Sequence, residues 1–135
     1  MSAPDGETRP IDPITVCLVE DHAQVRDELS VILTGAGMSV LAAVGTAHDG
    51  RRAVTELLPD VAVVDNRLPD GTGIELCRTL TETVPGVTLI LHTGTVDRQV
   101  AIDARDAGAV AVVPKEIRTD HLIDTIRRNH PGARA

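Results

Sequence analysis

Three acidic residues each follow a run of small apolar residues in this chain. Glu20 and Asp21 come directly after the run 14–19, and Asp65 comes directly after the run 61–64. Taken by itself, the pair Glu20-Asp21 could be the solvated start of a helix, because acids suit a helix N-terminus. Converging carboxylates repel one another unless a cation compensates them, and Mg²⁺ accepts a few carboxylates together with water and phosphate oxygens. If the fold brings the three acids together, they predict a Mg²⁺ site.

A lysine and a threonine follow two later apolar runs in the same way. Lys115 is the only lysine among the 13 Lys and Arg residues of the chain. Its ammonium group is a compact point charge on a flexible stem, which suits contact with a phosphoryl oxygen. The hydroxyl of Thr93, beside Gly94, could hydrogen-bond the same group. It could instead cap a helix, although Thr95 is the better candidate for that cap.

The segment after Asp65 is rich in turn-forming residues. Residues 66–73 read NRLPDGTG, and glycines in such a loop let the backbone approach a metal ion or a phosphoryl group closely. A carboxylate can act as a nucleophile that forms an acyl phosphate when a metal and a fixed positive charge stabilise the incoming group. Asp65 together with Mg²⁺ and Lys115 would meet these requirements.

These side chains can meet only if the strands before them lie in one parallel sheet, with their carboxyl ends at the same edge. Continuous runs rich in β-branched residues predict strands covered on both faces at 14–19, 61–64, 87–91 and 110–113, with a weaker strand at 39–44. Amphipathic spacing predicts helices at about 23–34, 49–58, 73–84, 95–107 and 119–129, two of them stopped by Pro59 and Pro85. Five alternating strands and helices predict a doubly wound α/β sheet, whose ligand site forms beyond the carboxyl ends of the strands.

Composition narrows the class of protein. The 135 residues suit a single domain, and no apolar run approaches the roughly 20 residues that cross a bilayer. With no secretion signal in the first residues, we expect a cytoplasmic protein without membrane attachment. The net charge of −7 opposes direct binding to nucleic acid, and the absence of Phe, Tyr and Trp excludes aromatic stacking on a flavin or a base.

The cysteines and histidines do not form a metal-binding pattern. Cys17 and Cys77 lie in apolar segments without a C-x-x-C spacing, so we expect buried reduced thiols rather than a zinc site or a redox pair. The histidines have no i, i+4 pairing, and we expect them to be solvated or to cap helices locally. They are His22, His48, His92, His121 and His130.

From residue 14 to residue 128 the chain resembles the receiver domains of two-component response regulators. The family's motifs stand in order: VEDH at 19–22, DNRLP at 65–69 with Gly73 after it, Thr93-Gly94, and Gly108-Ala109 leading to Pro114-Lys115. The surroundings of the acidic pair and of Lys115-Glu116 are most similar to the NarL/LuxR-type subfamily. That subfamily usually joins the receiver domain to a C-terminal helix-turn-helix.

The resemblance implies a flavodoxin-like (CheY-like) fold of five parallel strands with five helices, and it implies roles for the site residues. Asp65 would accept a phosphoryl group from a sensor histidine kinase. Asp21, Asp65 and the backbone carbonyl of Arg67 would bind Mg²⁺, and Glu20 would act through water. Lys115 and Thr93 would contact the phosphoryl group. Gly94, Thr95, Arg67 and Val112 are expected to modulate the reaction or the switch.

The resemblance also implies partners and domain limits. The protein would be a signalling phospho-acceptor that catalyses only its own phosphorylation and slow autodephosphorylation. It would control transcription, reaching DNA only through an effector domain that is not in this chain, and it could form a homodimer. We expect an N-terminal lead at 1–13, the receiver domain at 14–129, and a tail or the start of a linker at 130–135.

Two residues depart from the family pattern. Val112 stands where the family usually carries Tyr or Phe, so we expect a smaller or differently routed change at the surface of helix four, strand five and helix five. Glu116 stands where many relatives have proline, so a cis peptide is not expected there. The main alternative is a receiver-fold interaction module that phosphorylation does not regulate. A haloacid dehalogenase-type phosphatase is disfavoured because Asp65-Asn66-Arg67 lacks its Asp-x-Asp start.

Overall fold

Residues 12–94, 96–115 and 119–130 are described by a computed structural model. Five parallel strands make the central sheet: β1 Thr15–Val19, β2 Ser39–Val44, β3 Val61–Val64, β6 Thr88–Thr93 and β7 Ala109–Pro114. A two-stranded antiparallel hairpin, β4 Arg67–Leu68 and β5 Gly71–Thr72, follows β3. The helices are α1 Ala23–Gly35, α2 Ala47–Leu57, α3 Gly73–Thr83, α4 Arg98–Asp106 and α5 Thr119–Asn129. Within the described residues, no helix is both long and apolar enough to cross a membrane.

The order of the strands determines where the candidate site lies. The sheet runs β2-β1-β3-β6-β7, so the chain moves from β1 out to one edge and then back to β3 on the other side of β1. In doubly wound sheets this reversal leaves a crevice beyond the carboxyl ends of the two strands. The predicted fold class, a five-stranded doubly wound parallel sheet with five helices, is confirmed.

Each face of the sheet has its own aliphatic core. One core joins α1 and α5 to inward-facing residues of four strands: Leu18, Val63, Ile90 and Val113. The other joins β1, β3 and β6 to α3 through residues such as Val19, Val64, Leu89 and Leu80. Because side chains alternate along a strand, the positions two beyond Leu18, Val63 and Val113 project toward the α1 and α5 face. Those positions are Glu20, Asp65 and Lys115.

The predicted element ends lie within two residues of the observed ones except at the start of α4. Helices α2 and α3 end before Pro59 and Pro85, as expected. Helix α4, however, begins at Arg98 and not at Thr95. Its N-cap is Asp97, whose carboxylate accepts a hydrogen bond of 2.8 Å from the backbone N–H of Val100 and so satisfies a donor that the helix itself leaves free. Thr95 lies outside the described residues.

Candidate functional site

Lys115 joins two buried acids at the crevice. Its Nζ lies 2.8 Å from Oε1 of Glu20 and 2.9 Å from Oδ2 of Asp65. The side chains of Glu20 and Asp65 are only 3% and 4% exposed. Buried carboxylates need a charged partner because removing them from water is costly. The sole lysine of the sequence therefore acts as the counter-ion of both acids.

Backbone hydrogen bonds beyond the strand ends fix Asp65 and Lys115 in place. The N–H of Asp65 donates to the carbonyl of Val19 at 2.8 Å, and the N–H of Lys115 donates to the carbonyl of Thr93 at 2.9 Å. These bonds continue the parallel ladders past the last paired residues. Together with the pairing of β3 and β6, they hold the ends of β1, β3, β6 and β7 side by side, as the strand-end argument predicted.

The contacts of Lys115 also determine its protonation and that of Glu20. Burial acts to lower the pKa of Lys115, but the hydrogen bonds and negative charges of Glu20 and Asp65 outweigh it and raise the pKa. Burial acts to raise the pKa of Glu20, but the bonds from Lys115 and from the backbone N–H of His22 outweigh it and lower the pKa. At neutral pH the lysine and Glu20 are therefore both ionised.

Each acid uses its two oxygens differently. Lys115 occupies Oε1 of Glu20 and Oδ2 of Asp65. The other oxygen of Glu20, Oε2, accepts the backbone N–H of His22 at 3.0 Å and lies 3.4 Å from His22 Nδ1. The other oxygen of Asp65, Oδ1, accepts the backbone N–H of Arg67 at 3.3 Å. In each carboxylate, the oxygen that Lys115 does not contact therefore accepts a backbone N–H group.

The donor set fits a divalent cation. Ligand atoms of Glu20, His22 and Asp65 all lie within 4.8 Å of one another. The family resemblance implies that Asp21 is a direct ligand of Mg²⁺. Among the described residues, however, Asp21 is exposed and is not part of this group. Direct binding of Mg²⁺ by Asp21 and by the carbonyl of Arg67 stays a prediction, as does the water-mediated role of Glu20.

A pocket of about 280 Å³ opens above Asp65. Its lining contains most of the predicted site residues and one that was not predicted: His22, Asp65, Arg67, Thr93, Gly94 and Lys115. Thr93 is buried at the end of β6, and a Cβ built on Gly94 would meet no atom within 4 Å. The ammonium group of Lys115 therefore faces a pocket that has free space beside Gly94.

The loop after Asp65 is clamped at both ends. At its base, the side-chain oxygen of Asn66 accepts the N–H of Ile74 at 3.1 Å. At its tip, the carboxylate of Asp70 accepts the N–H groups of Ala47 at 2.7 Å and of His48 at 3.0 Å, at the start of α2. These bonds also lower the pKa of Asp70. The backbone of Arg67 is held between the two clamps.

Comparison with known proteins agrees with this geometry. Residues 16–127 match the family described as "Response regulator receiver domain". The chain belongs to the response regulator receiver domain family. The receiver domain is 38% identical over 116 residues to the DNA-binding transcriptional activator DevR/DosR of Mycobacterium tuberculosis, covering 84% of this chain and 53% of that protein.

Solved structures give the same picture. The receiver domain superposes on the two-component response regulator, LuxR family, from Aurantimonas sp. SI85-9A1 with a TM-score of 0.82 and 26% identity, covering 90% of this chain and 92% of that one. It superposes on the beryllofluoride-activated NtrC4 receiver domain dimer with a TM-score of 0.77 and 26% identity, covering 84% and 93%. The chain spans about half the length of the curated relatives that it matches.

Two histidines of the receiver domain were not predicted to lie at the site. His92 was expected to be solvated or to cap a helix, and this is wrong, because it is only 7% exposed within β6. Burial, together with the positive charge of Lys115, lowers the pKa of His92 to about 4, although the charge of Asp65 opposes this. His22 is 71% exposed, as expected of a solvated residue, yet its ring reaches Glu20. The position of His22 directly after Glu20-Asp21 is the sequence feature that could have indicated this contact.

The remaining predicted residues lie where the sequence argument placed them or outside the described part. Val112 is half-buried and packs with Leu91 and Ala104, on the α4 side of the sheet. Cys17 and Cys77 are buried free thiols, as expected. Burial raises the pKa of Cys17 to about 11 and that of Cys77 to about 12. Thr95 and Glu116 lie outside the described residues, so their predicted roles are untested.

Proposed function

We propose that Asp65 of this receiver domain accepts a phosphoryl group from a sensor histidine kinase in a Mg²⁺-dependent reaction. The observation that carries the proposal is the position of Lys115 Nζ, 2.9 Å from Asp65 and 2.8 Å from Glu20 at the floor of an open pocket. A buried carboxylate beside a fixed cation meets the requirements of a nucleophile that receives a phosphoryl group.

The chemical step is a transfer between two protein side chains. An oxygen of the Asp65 carboxylate forms a bond to phosphorus as the bond between phosphorus and the histidine nitrogen of the kinase breaks, and that nitrogen keeps the bonding electrons. Lys115 binds a phosphoryl oxygen, and the hydroxyl of Thr93 donates to another. When bound, Mg²⁺ would reduce the repulsion between the acids and the phosphoryl oxygens. Asp65, Asp21 and the Arg67 carbonyl would hold it, with Glu20 acting through water.

The output follows from a shift in these contacts. A phosphoryl group adds negative charge and strong acceptor oxygens, so it draws Lys115 and Thr93 toward itself. Gly94 N–H, Arg67 and Thr95 would then modulate access of water to the acyl phosphate. Because Val112 is smaller than the aromatic residue usual in the family, the change at the surface of α4, β7 and α5 would be smaller or differently routed.

We further propose that the output is transcription, through a DNA-binding effector domain attached to the receiver domain. The named activity of DevR/DosR supports this, and the net charge of −7 disfavours direct DNA contact by the receiver domain itself. A homodimer is supported by the NtrC4 receiver domain dimer. The free thiols of Cys17 and Cys77 fit a reducing compartment, the cytoplasm. Beyond its own phosphorylation and slow autodephosphorylation, the domain would catalyse no reaction.

The phosphorylation-independent alternative is not favoured, since Glu20, Asp65 and Lys115 are present and in contact. A direct test incubates the protein with acetyl phosphate and Mg²⁺ and measures its intact mass. We expect a phosphoryl adduct on the wild type and on the control Asp106→Asn, whose carboxylate is exposed on α4. We expect none on Asp65→Asn, and none on the wild type with excess EDTA. An adduct that persists in Asp65→Asn, or no adduct on the wild type, would refute the proposal.

A further inference from the structure

The side chain of Arg26 extends from α1 back to the loop that carries the acidic pair, residues 20–22. Arg26 is the fourth residue of the helix, close to its N-terminus, where the helix dipole disfavours a positive charge. Its Nη1 donates a hydrogen bond of 2.9 Å to the backbone carbonyl of Glu20. That carbonyl belongs to the peptide that joins Glu20 to Asp21. Arg26 therefore contacts the backbone immediately before Asp21.

This bond completes the fixation of the Glu20 backbone. The N–H of Glu20 donates to the carbonyl of Val44 at 2.9 Å, at the end of β2, and the carbonyl of Glu20 accepts from Arg26. The carboxylate of Glu20 contacts Lys115. Asp21, by contrast, is exposed, so packing does not fix its side chain. The backbone before Asp21 therefore determines where its carboxylate can lie.

The guanidinium of Arg26 occupies the space that a side chain at Gly45 would need. A Cβ built on Gly45 would lie 2.8 Å from Nη1 and 3.8 Å from Cζ of Arg26. The backbone of Gly45 is not in the left-handed region, so the constraint on this position is steric. Because the atoms met belong to the end of a flexible side chain, an alanine would displace the guanidinium and not the backbone. Gly45→Ala thus breaks the bond to Glu20 while the charge of Arg26 stays in the protein.

We propose that Arg26 is a positioning residue of the receiver domain, which orients Asp21 for Mg²⁺ by holding the carbonyl of Glu20. The proposal rests on the proposed function in assigning Mg²⁺ to Asp21 and Asp65. Groups that hydrogen-bond around metal ligands orient those ligands, and removing one typically lowers metal affinity by about 10–100-fold. As a charge alone, Arg26 would repel the cation. Loss of a repelling charge strengthens Mg²⁺ binding, whereas loss of a positioning bond weakens it.

Mg²⁺ titrations of the unphosphorylated protein separate these two effects of opposite sign. Binding is followed by backbone amide shifts in proton–nitrogen NMR spectra, which also report whether each variant is folded. In Arg26→Met and in Gly45→Ala, Mg²⁺ should bind about tenfold more weakly than in the wild type. The control Arg52→Met removes an arginine of α2 that is 65% exposed, and it should bind Mg²⁺ as the wild type does. Unchanged or tighter binding in Arg26→Met, or unchanged binding in Gly45→Ala, would overturn the proposal.

The double variant Arg26→Met/Gly45→Ala tests whether both changes act through the same bond. Its Mg²⁺ affinity should be no lower than that of Arg26→Met, because the bond is already lost in that variant. Affinity losses that add in the double variant would contradict the shared bond.

Labelling by acetyl phosphate gives a second readout. In Arg26→Met the Mg²⁺ concentration for half-maximal labelling rate should rise about tenfold, and saturating Mg²⁺ should restore most of the rate. A lower maximal rate with an unchanged Mg²⁺ requirement would show a general structural role and overturn the proposal. The two proposals fail separately. Weaker Mg²⁺ binding in both single variants without any labelling of the wild type would refute the proposed function alone. Labelling of the wild type with unchanged Mg²⁺ affinity in the variants would refute this inference alone.

Discussion

Replacing Gly73 by alanine should damage the site without touching any charged group. Gly73 is the first residue of α3 and packs directly under Asp65. A Cβ at this position would clash with the carbonyl oxygen of Asp65 and would lie 2.9 Å from its carbonyl carbon and 2.9 Å from Cγ1 of Val64. Two of these three atoms are backbone, so they can move only if the strand end and its loop move too. The backbone of Gly73 is not in the left-handed region, which makes the effect steric.

The magnitude follows from overpacking. Forcing one extra methyl group into a filled interior costs about 1–3 kcal/mol, and the gain in helix propensity from Gly to Ala returns at most about 1 kcal/mol. Gly73→Ala should therefore lower the free energy of unfolding by about 1–2 kcal/mol. It should also slow labelling by acetyl phosphate, because the carboxylate of Asp65 is displaced from Lys115.

The assay is urea unfolding followed by far-ultraviolet circular dichroism, since the chain lacks aromatic residues for fluorescence. The matched control is Gly86→Ala, where a Cβ would meet nothing within 4 Å. That control should change the unfolding free energy by no more than about 0.5 kcal/mol. If Gly73→Ala is as stable as Gly86→Ala and is labelled at the wild-type rate, the steric reasoning is wrong.

Three further predictions concern the groups around Asp65. Asp70→Ala removes the acceptor for the first N–H groups of α2, so the urea midpoint and the rate of acetyl phosphate labelling should both fall. Both should fall less in Asp70→Asn. The folded-state pKa of His92, about 4, lies below its ordinary 6.5, so the unfolded chain takes up the proton first and stability is lost as pH falls from about 6.5 toward 4. This loss of unfolding free energy is about 3 kcal/mol. Urea unfolding at pH 7 and pH 4.5 should show a smaller difference in unfolding free energy for His92→Leu than for the wild type. In Lys115→Met, burial is no longer offset, so the pKa of Glu20 should rise in a carbon-13 NMR titration; an unchanged Glu20 midpoint would contradict the assigned contact.

The sheet was predictable because its strands are buried on both faces. Such strands read as continuous β-branched runs, so the runs 14–19, 61–64 and 110–113 match β1, β3 and β7 to within one residue at each end. The convergence of Asp65, Glu20 and Lys115 then follows from parallel strand direction alone. The hairpin of β4 and β5 was not predicted, because two-residue strands are too short to show a period.

Other parts of the site depend on information that the sequence does not carry locally. Thr95 and Asp97 are both good N-cap residues, and the path of the loop after β6 decides that Asp97 caps α4. His92 is polar, so the apolar run 87–91 appeared to end before it, whereas β6 continues to Thr93 and buries the ring. The proximity of His22 to Glu20 depends on how α1 departs from β1, which no side-chain pattern specifies.

The charges of the site explain why metal and phosphoryl group should act together. Glu20 and Lys115 cancel each other, and Asp65 contributes one negative charge before the reaction. Phosphorylation replaces that carboxylate with a group of about −1.5 to −2, so the buried site gains charge while its one ammonium is drawn to the phosphoryl oxygens. Glu20 then loses part of its compensation, although it is 3% exposed and cannot be stabilised by water. A divalent cation held beside Asp65 would restore the balance. Metal binding and phosphorylation should therefore favour each other thermodynamically, by the same free energy in both directions.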